Sequence, residues 1–175
     1  MTIRKSFVLA PVALGLAMAL AGCGGSSESP YYCPTAFTVT DADRLTHFRE
    51  GAGRDPRDIA YEAALTGAST SCESRRGVLT VSLLMRISVA AGPSVVPGTT
   101  SVPYFVRVLD ASGAVTQGTE FNADFRLNAG NPRGASQEEL TLRIPGDGAG
   151  YRIAVGLKPT TEELNYNRRG RGGQQ

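Results

Sequence analysis

Tryptophan is absent, histidine occurs once, at His47, and cysteine three times, at Cys23, Cys33 and Cys72. Each scarcity weighs against a class of function. Carbohydrate-binding modules usually present exposed aromatic rings, whereas most of the six Tyr and six Phe fall in phase with apolar neighbours, as core residues do. Hydrolysis by a side-chain nucleophile needs a base beside it, usually His. Only His47 is available, and no serine stands in a G-x-S-x-G setting. A structural zinc site takes four ligands, more than two thiols and one imidazole supply. No metal and no cofactor is expected. Long apolar runs are missing too: the longest, Phe7 to Leu20, is about fourteen residues, where a membrane span needs about twenty. Nor is there a surplus of one charge. The chain carries 18 basic and 16 acidic residues, and setting aside Arg4 and Lys5 leaves the two signs equal. No global field for nucleic acid remains.

What the first thirty residues do contain is an ordered address. Arg4 and Lys5 form a basic start, Phe7 to Leu20 has the length of a signal-peptide apolar region, and Leu20-Ala21-Gly22-Cys23 follows. That tetrapeptide resembles the lipobox of bacterial lipoproteins. Cysteine sulfur is readily alkylated by a diacylglyceryl donor, and small Ala21 and Gly22 let a peptidase reach the bond before it. Residues 1–22 are therefore expected to be a signal peptide and Cys23 the lipidated N-terminus of the mature chain. Two or more acyl chains hold a protein stably on a bilayer. Residues 23–32, rich in Gly and Ser, read as a flexible tether. Gly24, a non-acidic residue after the cysteine, resembles the outer-membrane sorting signal. With Cys23 acylated, Cys33 and Cys72 are left as an even pair in an oxidising compartment, and a disulfide is predicted between them. Closing a loop of roughly forty residues stabilises by about 4 kcal/mol in the chain-entropy description.

Past the tether, apolar residues alternate with polar ones. Ile59, Tyr61, Ala63 and Leu65 take one face, and Leu79, Val81, Leu83, Met85, Ile87 and Val89 make six steps on another strand. Phe121 to Leu127, Leu140 to Ile144 and Tyr151 to Leu157 repeat the period, the pattern of strands with one face on a core. VPYFVRVLD, residues 102–110, is apolar in both phases and reads as a central strand. DASGAV (110–115) and PGDGAG (145–150) read as hairpin turns. VAAGPSVVPGTTSVP (89–103) reads as a crossover or exposed loop, and NAGNPRGASQ (128–137) as a second long loop. The expected fold is all-β: an immunoglobulin-like β-sandwich of about six to seven strands spanning residues 33–167. Two helical signals stand outside it. DADRLTHFR (41–49) reads as one turn or a short helix before the first long strand. Thr160-Thr161-Glu162-Glu163 is a capping box that predicts a closing helix through Leu164 and Tyr166, ending in a basic, disordered tail over residues 168–175.

Other chemical motifs are incomplete. GDGAG at 146–150 lacks the spacing of a phosphate loop and leads into a strand. Asp41 and Asp43 resemble the start of a calcium loop, but Arg44 follows, and no glycine and distal Glu complete it. Glu138-Glu139 and Glu162-Glu163 are adjacent pairs, not facing carboxylates. His47 reads as a solvated or packed residue, and no enzyme activity is expected.

CPTAFTV at 33–39, VPYFVRVLD at 102–110 and GLKPTTEELNYNR at 156–168 together resemble a group of uncharacterised lipoproteins of proteobacterial envelopes. Leu157 stands where that group has an aromatic and Pro159 where it has leucine. The resemblance implies an envelope lipoprotein and no catalytic activity. The expected function is an accessory or structural subunit, anchored through Cys23 to the outer membrane on its periplasmic face and binding a membrane-associated protein complex. Tyr166, Arg168, Arg169 and Arg171 are the expected partner-binding residues. The alternative is a glycan- or peptide-binding module of the periplasm or cell surface.

Overall fold

The structure, a computed structural model, describes residues 30–172. The expected signal peptide, the lipidation site Cys23 and most of the tether lie outside the described residues. Eight strands form two four-stranded sheets. One has the order β1 (Ala36–Thr38), β8 (Arg152–Leu157), β5 (Gly98–Leu109), β6 (Val115–Leu127). The other has the order β2 (Arg44–Phe48), β3 (Ile59–Arg75), β4 (Val78–Ala91), β7 (Arg133–Pro145). All pairs are antiparallel except β1 with β8. Among the described residues there is one α-helix, α1 (Thr161–Gly172), which follows β8, and one short 3-10 turn at Pro56–Asp58 between β2 and β3. The fold is sandwich-like, with the core between the sheets.

The period of two dictates that core. On β4 the side chains of Leu79, Val81, Leu83, Met85 and Ile87 are essentially sealed from solvent. They meet Val102, Val106 and Val108 of β5 and Ile153, Val155 and Leu157 of β8 in one cluster. At roughly 1.5–3 kcal/mol for each large apolar side chain buried, this stripe is the main stabilising feature of the molecule. β5 lies between β8 and β6, as its two-sided pattern suggests.

Strand β3 is longer than its first alternation. Tyr61, Ala63 and Leu65 face inward, a bulge falls between Leu65 and Gly67, and from Ala68 the inward phase passes to even residues. One inserted residue reverses every following side chain. That reversal turns Cys72 toward Cys33, and the two form a disulfide with a Cα–Cα distance of 5.6 Å.

Four sequence expectations are corrected. Residues 44–48 are the strand β2, not a helix: Leu45 and Phe48, at helical spacing, are both buried because Leu45 joins the core and Phe48 packs against Tyr166 of α1. The 145–150 segment is not a hairpin, since β7 and β8 belong to different sheets. Gly146, Gly148 and Gly150 all have positive φ there, and a Cβ on Gly148 would lie 2.3 Å from the Tyr32 carbonyl oxygen. The 128–137 loop shrinks to a tight link: Asn128 Oδ1 accepts from the backbone N–H groups of Gly130 and Asn131, and β7 begins at Arg133. Finally, α1 takes in residues 168–172 of the expected tail, and residues 173–175 lie outside the described residues.

The connections gather at two ends. At one, the β3–β4, β5–β6 and β7–β8 links meet the incoming N-terminal segment. The backbone N–H of Tyr32 donates to the Asp147 carbonyl, and that of Gly146 to the Gly77 carbonyl. At the other end lie the β2–β3, β4–β5 and β6–β7 links and the start of α1. There Ser94 N–H donates to the Ile59 carbonyl and Ala91 N–H to the Pro132 carbonyl.

Candidate functional site

The second end holds a cleft of about 650 Å³, a volume typical of sites for small ligands. Its floor comes from the inward phase of β2 and β3, which sets Leu45, His47 and Tyr61 side by side. Its walls are the β4–β5 crossover at Val95 to Pro97, the start of β5, and the turn into α1 at Lys158 and Thr160. His47 and Tyr61 are directly opposite in the β2–β3 pair, and their rings stack at 4.8 Å. The Tyr61 hydroxyl donates to the Ser101 carbonyl at 3.2 Å. Burial, with the nearby Glu163 charge, pushes that hydroxyl up to about 12, so it stays a phenol.

The polar centre is a pair separated by 116 positions in the chain. His47 Nδ1 donates to Glu163 Oε1 at 2.8 Å. Glu163 is almost fully buried because the capping box holds it: Thr160 N–H donates to Glu163 Oε2 at 2.7 Å, and Glu163 N–H to Thr160 Oγ1 at 3.3 Å. Burial pushes the Glu163 carboxyl up, but the hydrogen bonds from His47 and Thr160 outweigh it. The carboxyl therefore rests below the usual carboxylate range. One carboxylate thus caps the start of the helix and orients the imidazole, leaving Nε2 as the ring's second hydrogen-bonding atom. Among the described residues no hydroxyl or thiol is hydrogen-bonded to His47. The cleft offers a fixed imidazole, the apolar Val95–Pro97 wall, and a rim lysine, Lys158, paired with Glu120 at 2.5 Å.

The expected partner-binding residues all fall in α1 but differ in their surroundings. Tyr166 packs edge-on against Phe48 at 4.9 Å, and Arg168 Nε donates to Asp41 Oδ2 at 2.9 Å, so both fasten α1 to the sandwich. Asn167 adds a bond to the Arg44 carbonyl at 3.1 Å. Arg169 is exposed, and the Arg171 side chain lies outside the described residues. Leu157, at the position where an aromatic was expected, is wholly buried. Sequence reasoning missed the His47–Glu163 pair although it found the capping box and the inward phase of Tyr61. Reading 41–49 as a helix placed His47 on the wrong kind of element. No protein-family model matches the chain, and no curated protein matches it in sequence.

Proposed function

We propose that this protein is a non-enzymatic lipoprotein of the bacterial envelope, anchored through Cys23 to the outer membrane on its periplasmic face. In this reading it serves as an accessory subunit that binds a membrane-associated protein complex. The observation that carries the reading is the run from Arg4 to Cys23, a basic start, a short apolar segment and LAGC in order. The Cys33–Cys72 disulfide supports it, since such bonds persist in oxidising compartments. The likeness of residues 33–39, 102–110 and 156–168 to envelope lipoproteins supports it as well. Within this proposal the sandwich is immunoglobulin-like in the broad sense, on the basis of two sheets that are antiparallel throughout except where β1 pairs parallel with β8.

The test is intact mass of the membrane-extracted protein together with crosslinking in the native envelope. Acyl chains on a chain beginning at Cys23 and a stoichiometric crosslinked partner are the expected results. A soluble, unmodified species would refute the anchor, and a monomer without crosslinks would refute the accessory role. The cleft favours a second reading, a binding module for a glycan or peptide, because an oriented imidazole beside an apolar wall suits a polar ligand with an apolar side. His47→Ala should abolish such binding without releasing a protein partner.

A further inference from the structure

Six large apolar side chains are exposed among the described residues. Scattered singly, such residues need no explanation. Here five are not scattered. Tyr31 and Tyr32 belong to the incoming N-terminal segment, Val78 opens β4, Val115 opens β6, and Phe37 sits in β1, four positions after Cys33. Tyr32 is 62% exposed, Val115 57% and Val78 42%, while Val96, 66% exposed, lies alone at the opposite end beside the cleft.

The end that carries the cluster is rigid. The Cys33–Cys72 disulfide joins the incoming segment to β3, and the Tyr31 hydroxyl donates to the Cys72 carbonyl at 3.3 Å. Asp147 accepts from Tyr32, Gly77 accepts from Gly146, and Gly150 packs on Ala111 of the β5–β6 turn, with no room for a side chain between them. Three turns and the entering chain thus form one face.

We propose that this face lies against the lipid bilayer, with Tyr31, Tyr32, Val78 and Val115 entering the headgroup layer. The inference rests on the lipid anchor at Cys23. From Cys23 to Tyr31 the chain spans at most about 29 Å even when fully extended, so an anchored molecule holds this end within that distance of the membrane surface. A fourteen-residue strand such as β4 is about 45 Å long and holds the cleft and α1 away from it, where a protein partner has access. Tyrosine suits the interface because its ring is apolar and its hydroxyl stays wet. Charge is near balance at this end: Arg75, Arg76, Arg143 and Arg152 are set against Glu73, Asp110 and Asp147. Contact is therefore with uncharged and anionic lipid alike, and salt leaves it unchanged.

Because the chain has no tryptophan, Tyr32→Trp, Val78→Trp, Val115→Trp and Val96→Trp each introduce a single reporter at an exposed position. The full processed chain, its acylation verified by intact mass, is placed in phosphatidylcholine vesicles with and without brominated lipid. The three tether-end reporters are expected to shift to the blue and lose emission to the brominated lipid, unaffected by salt, while the Val96→Trp reporter stays at its water-exposed wavelength. Equal exposure of all four overturns the proposal. So does a blue shift without quenching, which marks contact between protein molecules. An unacylated chain refutes the anchor and this inference together, whereas an acylated chain without the contrast refutes the inference alone.

Discussion

Glu163 shows how much one side chain can carry in this molecule. It closes the capping box, buries its carboxylate and holds His47. Its pKa is lower in the folded state than its ordinary value of 4.5. A carboxylate depressed in this way stabilises the fold fully above pH 4.5, and that contribution is lost as pH falls below 4.5 through the folded value. Glu163→Gln keeps the capping geometry but removes the charge. It should cost about 1–3 kcal/mol at neutral pH and flatten the acid limb of the stability curve below pH 4.5, measured by urea denaturation across pH. A stability difference from the native chain that does not narrow below pH 4.5 would show that the pair is not coupled to folding. At Met85 the argument is about phase. Its side chain is sealed in the core, so Met85→Asp places an unpaired charge among Leu and Val and should cost about 4–5 kcal/mol or more. Ser82, on the opposite and partly open face, should accept Asp with a change within about 1 kcal/mol. Thermal melts of the two variants compare them directly.

At the scale of elements, α1 is held by residues whose types first suggest a surface role. Arg168 with Asp41, Asn167 with the Arg44 carbonyl and Tyr166 with Phe48 fasten the helix along the outer face of β2. Removing residues 168–175 should therefore loosen α1 without unfolding the sheets. The expected result is faster hydrogen exchange in residues 44–48 and 161–167, with β4 protected as before. Unchanged exchange across β2 would contradict the docking role of Arg168. The β7–β8 link makes a different demand. Gly148→Ala meets both a positive φ of 81° and the Tyr32 carbonyl, so relief requires moving the incoming segment. A loss of about 1–3 kcal/mol is expected, larger than for Gly→Ala at an unhindered turn position.

For the whole molecule, the disulfide is the one covalent tie between the incoming segment and the sheet of β3. It closes a separation of 39 residues, and replacing Cys33 and Cys72 by Ser should cost about 4 kcal/mol in the chain-entropy description. Chemical denaturation with and without reductant measures this, and a loss well under 1 kcal/mol would mean that hydrogen bonds such as Tyr32 to Asp147 hold the segment unaided. Most of the sheet was legible in the chain itself, because a period of two with a large apolar residue at each inward step admits one burial phase. Leu79 to Val89 alternate as predicted, whereas β8 is buried on both faces, with Ala154 covered as well as Ile153, Val155 and Leu157. The Cys33–Cys72 pairing was legible by parity, and the capping box by its spacing. Three features were decided only in three dimensions. β2 loses its one-sided pattern because α1, over a hundred residues later, covers its other face. The β7–β8 link changes sheets although its glycines suit a hairpin, because local turn chemistry specifies φ and not which neighbour a strand will find. The cleft joins His47 to Glu163 across 116 positions. No local periodicity encodes that proximity, which arises from the packing of whole elements.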